Sequence, residues 1–389
     1  MDAPDQSGQG LPMGPFSRTR CRPWQTPRSR ALPLLVWTFL SLVTPALGAD
    51  RDLAFPGAEW ESVTPESRGF SSPKLDVLRR WLQTQQTTAL HVSVQGRVVF
   101  EFGDVKRVSK VASVRKSILA MLYGKYVSTN PALLDRTVVD LGLEDVTPFL
   151  PIETSATLYH LLTARSGIYL PTANRELSDL MPRRGSQAPG TYFQYQNWDF
   201  NAAGTAFEKI SGKEIFQALD EDLAKPLGMQ DFDRALQRRN DELPVTRHPE
   251  YAMYLSTRDM ARIGLLMLAG GRWNGTAVLP DGWSRRITRL VTPQNELHPL
   301  GVGAHATQAG RWGYGMLWWV WDAPDVPGTL TGPYQGAYSA MGANGQFITV
   351  VPAMNLVVAH KVDFDSDGNR RVSSDEYQAI LQLLINASL

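Results

Sequence analysis

The clearest strand signals in this 389-residue chain stand near its two ends, with a long helical middle between them. Near the front, "TALHVSVQGRVVFEFGD" (Thr88 to Asp104) is two β-rich runs pivoting on Gln95-Gly96, a hairpin signature. Near the back, "GQFITVVP" and "NLVVAHKV" flank a short turn. Between them, "TLYHLLTARSGI", "NAAGTAFEKISGKEIFQALDEDL" and "LSTRDMARIGLLMLAGG" carry apolar residues at helical spacing. In the last of these, Ser256 or Thr257 can cap and Gly270-Gly271 can stop the helix. Strands so far apart in sequence pair only if the termini meet in one sheet. The expected fold is therefore α/β of the α+β type. It has an antiparallel sheet built from both termini (about 49–125 and 310–389), flanked by helices, with a mostly helical inserted part at about 126–309.

Two terminal helices are expected to cover that sheet. "SSPKLDVLRRWLQ" reads as a helix capped by Ser72, with Pro73 at its first position and Leu75, Leu78 and Leu82 on one stripe. "SSDEYQAILQLLINAS" closes the chain as a second helix. The sequence has no internal repeat.

The first 48 residues read as a targeting segment rather than fold. A polar lead with Arg18, Arg20, Arg22, Arg28 and Arg30 precedes the apolar run "ALPLLVWTFLSLV" and the small residues Ala46 and Gly48. That is the pattern of a secretory signal cleaved near Gly48 or Ala49, with Met13 an alternative start. The run is short of the ~20 residues that span a bilayer. An exported protein (periplasm or extracellular), free of the membrane after cleavage, is the expectation. The one cysteine, Cys21, falls in the leader, so residues 49–389 must hold together by a hydrophobic core and not by disulfides. Those residues carry 34 basic against 36 acidic side chains, a net of −2, which gives no support to a nucleic-acid partner.

Chemistry enters with "SKVASVRKSILAMLYGKYV", Ser109 to Val127. If this run is a helix, Ser113 and Lys116 lie on one face, one turn apart, and a serine hydroxyl meets an amine that can take its proton. The pair alone is a weak signal, since Ser/Lys spacing of this kind arises by chance. "GTYFQYQNWDFNAAG" adds Tyr195 and Asn197, a Y-x-N after a Gly190 turn and before a helix.

In this order, and with "TLYHLLTARSGI", "KPLGM", "LSTRDMARIGLLMLAGGRWNG" and "GANGQFITVVPAMNLVV" around them, the motifs resemble the serine β-lactamase and penicillin-recognising hydrolase family. The resemblance is closest to the class C branch and its esterase and 6-aminohexanoate-oligomer hydrolase relatives, and covers nearly all of residues 49–389. It implies covalent acyl transfer without metal or cofactor. Ser113 is the implied nucleophile, activated by a base within hydrogen-bond reach. Lys116 supplies that base if desolvation and Tyr195 depress its pKa. Tyr195 relays the proton to the leaving group and then helps activate water. Asn197 orients Lys116 or a substrate amide. The implied oxyanion hole uses the backbone N–H of Ser113 and of Ala343, beside Gly342.

The chain departs from the family at the third motif. Where a Lys or His, a small residue and a Gly are usual, it has Ala340-Met341-Gly342. Ala340 brings no cation to meet a substrate carboxylate, which favours neutral esters, amides or short peptides over penicillins. The implied function is ester or amide hydrolysis through an acyl-enzyme on Ser113. Its rivals are a D-Ala-D-Ala carboxypeptidase or β-lactamase, and a catalytically silent peptide-binding protein.

Other signals carry less. Asp363, Asp365, Asp367 and Gly368 match the first half of a calcium loop, but the twelfth position is Ser374 where a glutamate is needed. The histidines (His91, His160, His248, His298, His305, His360) lack metal-ligand spacing, and His160 reads as a hydrogen-bonded core residue. Trp312, Trp318, Trp319 and Trp321 read as sheet packing, with a share available to line a cleft.

Overall fold

A computed structural model of the chain describes residues 52–174, 181–297, 311–322, 333–364 and 370–389. The chain divides into Met1–Asp50 and a compact unit, Arg51–Leu389. The leader expectation lies outside the described residues, as do Asp365, Asp367, Gly368, His298 and His305.

The strands are β1 (Ala89–Val94), β2 (Arg97–Gly103), β3 (Ser109–Lys110), β4 (Arg238–Asn240), β5 (Glu250–Ala252) and β6 (Tyr254–Leu255). They continue as β7 (Arg272–Trp273), β8 (Thr276–Ala277), β9 (Trp312–Tyr314), β10 (Trp319–Trp321), β11 (Tyr338–Gly342), β12 (Gln346–Val351) and β13 (Leu356–Lys361). The α-helices are α1 (Ser72–Leu82), α2 (Val114–Leu122), α3 (Gly124–Thr129), α4 (Leu158–Leu162) and α5 (Asn197–Ser211). After them come α6 (Ile215–Leu219), α7 (Lys225–Leu227), α8 (Thr257–Leu268), α9 (Trp283–Ile287) and α10 (Ser374–Asn386).

The main sheet runs β2-β1-β13-β12-β11-β10-β9, antiparallel throughout. The early hairpin therefore pairs with the last strand of the chain, and the two ends do build one sheet. Gln95 and Gly96 make the hairpin turn, both with positive φ (51° and 77°), as a tight two-residue connection demands. The four tryptophans of 312–321 belong to the other end of this sheet, around β9 and β10.

Strand alternation divides the core between two faces. On one, Tyr377 of α10 stacks on Phe347 (3.8 Å between ring centroids) and bonds Thr349 (2.7 Å), while α1 packs against α10 and β2. On the other, α8 crosses β12, β13 and β1 so closely that a Cβ at Gly264 would lie 2.5 Å from Val357 Cγ1. Thus α8, inside the mostly helical stretch, serves the sheet. Ser256 caps it by accepting from the Asp259 N–H (3.2 Å). The cap of α1 differs from expectation. Ser71, not Ser72, is the cap position, it makes no side-chain cap bond, and Ser72 N–H donates to Glu66 (2.8 Å). At α10, Ser373 and Glu376 form a reciprocal capping box. Among the described residues no helix is long and apolar enough to cross a membrane.

Candidate active site

Three stretches distant in sequence converge at the head of α2. The chain enters it through β3, which pairs with β6, and through Ala112, held at a left-handed φ of 47°. That conformation costs a non-glycine residue about 1–2 kcal/mol, and strain of this kind gathers beside functional groups. Ser113 follows at the N-cap position, half-buried, and its side chain accepts no capping hydrogen bond from the first turn. The helix beyond it is buried from end to end, wedged against β11, α6 and α9.

Lys116 is one turn on and only 2% exposed. Its Nζ donates to Tyr195 Oη (2.9 Å) and to Asn197 Oδ1 (2.7 Å). The same nitrogen lies 4.3 Å from the ring centres of Tyr195 and Phe200. Tyr195 is held in turn by aromatic neighbours. Trp319 stacks on it at 5.6 Å, Phe200 lies at 4.9 Å, and Tyr314 meets it edge-on at 6.0 Å. Burial keeps the Tyr314 phenol well above its ordinary pKa, so it stays neutral beside Tyr195.

The Tyr195-Gln196-Asn197 segment is pinned from below by Asp199, in the first turn of α5. Asp199 is fully buried and accepts from Ser166 Oγ and from Gln196 Nε2 (2.9 Å). Gln196 also donates to Ile168 O (2.7 Å). The "TLYHLLTARSGI" segment therefore fixes where Tyr195 stands. His160 within it is a capping residue: its Nδ1 accepts from the Thr157 N–H (3.2 Å), and partial burial, with Arg165 nearby, lowers its pKa.

The third wall is the end of β11. A Cβ at Gly342 would lie 2.6 Å from Val111 O and 3.0 Å from the Ser113 nitrogen, so the strand reaches the serine only because this residue has no side chain. Ala343 follows in an exposed turn. The Ser113 N–H, at the cap of α2, precedes the intrahelical ladder, and the helix dipole favours negative charge there. Ala340 lies on the same face as Gly342, fully buried and paired with Ile348.

The structure thus gathers Ser113, Lys116, Tyr195, Asn197 and Gly342 in one place, with Ala343 at its edge. Sequence reasoning missed Phe200, although its place three residues after Asn197 on a helix pointed to the same face. Trp319 was visible only as one of a tryptophan cluster. Among the described residues, other titratable signals are taken up elsewhere. Asp363 pairs with Arg107 (2.5 Å), His91 with Glu101 (2.8 Å), and His360 lies between Thr87 and Gly345 O. A groove of about 570 Å³ sits at the far end of α2, on Met121, Leu122 and Leu279, and none of the site residues line it.

Comparisons with known proteins agree with this geometry. The model of the Beta-lactamase family matches residues 78–379. A Mycobacterium bovis β-lactamase superposes with a TM-score of 0.54 at 20% identity, covering 81% of this chain and 100% of its own. A Bacillus anthracis protein assigned as a 6-aminohexanoate-dimer hydrolase does so with a TM-score of 0.58 at 19% identity, covering 86% and 87%. A protein of unassigned activity from Alkalihalophilus pseudofirmus is 24% identical over 67% of this chain and 74% of its own length. The chain belongs to the Beta-lactamase family of serine hydrolases.

Proposed function

We propose that this is an exported hydrolase of neutral esters or amides that works through an acyl-enzyme on Ser113. The observation that carries the reading is Lys116. It is a buried amine at the head of the serine's helix, bonded to a phenol at 2.9 Å and an amide oxygen at 2.7 Å. In the proposed reaction Ser113 Oγ attacks the carbonyl carbon as Lys116, acting as a neutral amine, takes its proton. The N–H groups of Ser113 and Ala343 receive the oxyanion, a contribution on the order of 3 kcal/mol per donor. Tyr195 passes a proton to the departing alcohol or amine, and the ester of Ser113 remains. A water then attacks that ester as Tyr195 takes its proton, and Lys116 returns its own proton to the departing Ser113 Oγ as the acid is released. Asn197 holds Lys116 in register through its Oδ1.

Selectivity rests on Ala340. A substrate carboxylate held beside the acyl site by a charge-assisted bond would gain about 1–3 kcal/mol, and Ala340 offers no such group. Neutral short-chain esters are the better substrates on this reading. The structural neighbours described as a 6-aminohexanoate-dimer hydrolase and as a hydrolase with promiscuous acyltransferase activity support acyl-bond chemistry of this kind. The basic lead and short apolar run before residue 49 support the export part of the proposal. The experiment is a panel of p-nitrophenyl butyrate, nitrocefin and D-amino-acid peptides. Higher kcat/KM for the butyrate supports the reading. Faster nitrocefin turnover returns the chain to the β-lactamase side, and faster D-peptide cleavage to peptidoglycan chemistry.

A further inference from the structure

The residue between Ser113 and Lys116 that draws attention is Arg115, a cation only 1% exposed. Its Nη2 donates to Asn201 Oδ1 (2.9 Å), its guanidinium lies 4.2 Å from the centre of the Tyr251 ring, and its Nε is 3.9 Å from Glu250 Oε1. Tyr251 in turn donates from Oη to Phe200 O (3.1 Å). Burial pulls the Glu250 carboxyl upward, but Arg115, a hydrogen bond from Asn240 (2.7 Å) and Lys110 of β3 (3.4 Å) together hold it below the usual range. Arg115 therefore holds α5 at two successive residues, Phe200 through Tyr251 and Asn201 directly.

Those residues are the neighbours, on α5, of the groups that face Lys116. Asn197 is one turn before Asn201, and the Phe200 ring lies 4.3 Å from Lys116 Nζ. We infer that Arg115 is a positioning residue, which through Asn201 and Tyr251 sets the height and rotation of α5 against α2. It thereby sets the Lys116–Asn197 and Lys116–Tyr195 bonds. The inference rests on the proposed roles of Ser113 and Lys116.

Replacing Arg115 itself leaves Glu250 buried without one of its cations, and such a variant can fail to fold. Asn201→Ala breaks the same bond from the other side and keeps Arg115 on Glu250 and Tyr251. Asn201 also donates to Asn174 (2.9 Å), so Asn174→Ala controls for that second bond. The measurement is inactivation by a fluorophosphonate, resolved into a binding constant and a maximal rate, alongside the melting temperature. Asn201→Ala is expected to lower the maximal rate roughly ten- to a hundredfold, because sub-ångström misplacement of reacting groups is that costly. Its binding constant should stay within about twofold, and Asn174→Ala should keep the wild-type rate. A lower melting temperature with an unchanged maximal rate makes Arg115 merely structural and overturns the inference. Wild-type protein that does not react at all overturns the site reading, and the inference with it.

Discussion

At the scale of single residues the proposed reaction turns on protons. If Lys116 works as a neutral amine, Lys116→Arg should be nearly as damaging as Lys116→Ala, because a guanidinium keeps its proton at working pH. Steady-state rates on p-nitrophenyl butyrate decide this, and an arginine variant with near-normal turnover would remove Lys116 as the base. Tyr195→Phe keeps the ring that Trp319, Phe200 and Tyr314 hold and loses only the hydroxyl. It should lower turnover by roughly 10²-fold or more, the usual scale for a general acid–base group. That Ser113, Lys116, Tyr195 and Asn197 would meet was legible in the sequence because two short motifs stood in a familiar order. Helical spacing after Asn197 pointed to Phe200, but Arg115 and Trp319 reach the site through contacts between segments 86 and 124 positions apart, of which local periodicity keeps no record.

At the scale of elements, two close approaches decide whether the site is assembled. The end of β11 reaches the head of α2 across Gly342. In Gly342→Ala the new methyl would lie 2.6 Å from the Val111 carbonyl oxygen, a backbone atom that cannot step aside cheaply. Activity should fall sharply while circular dichroism keeps the native signature; full activity would mean that β11 does not form the oxyanion wall. Below it, α8 rests on the sheet at Gly264. Gly264→Ala forces the helix and Val357 apart and should cost about 1–3 kcal/mol, read as a lower denaturant midpoint. An unchanged midpoint would mean that this contact relaxes freely. The hairpin at Gln95-Gly96, the late strand pair and α10 were legible from turn chemistry and periodicity. The cap of α1 was not, because Ser71 and Ser72 are adjacent and sequence alone cannot say which one turns the backbone.

For the whole molecule, stability should depend on pH through histidines buried in neutral form. His360 is completely buried, hydrogen-bonded to Thr87 Oγ1 (2.9 Å) and Gly345 O (2.7 Å), and burial pushes its pKa from 6.5 down to about 4. Burial does the same to His248, also to about 4. A folded-state pKa below the unfolded one means that the unfolded chain binds more protons between pH 6.5 and 4. The stabilisation is present above about pH 6.5 and is lost as pH falls towards about 4, on the order of 3 kcal/mol for a fully buried imidazole. Melting temperature should decline over that window, and His360→Gln should flatten the decline; an unaltered slope would mean that His360 is protonated in the fold. The sheet that buries it joins both ends of the chain, and that junction is also what brings β11 to Ser113. By bringing β11 to the head of α2, this junction is expected to make Ser113 a nucleophile. Intact-mass spectrometry of the protein after fluorophosphonate treatment tests it most directly. One adduct on the wild type and none on Ser113→Ala, with matching melting curves, is the predicted result; an equally labelled Ser113→Ala protein would contradict it.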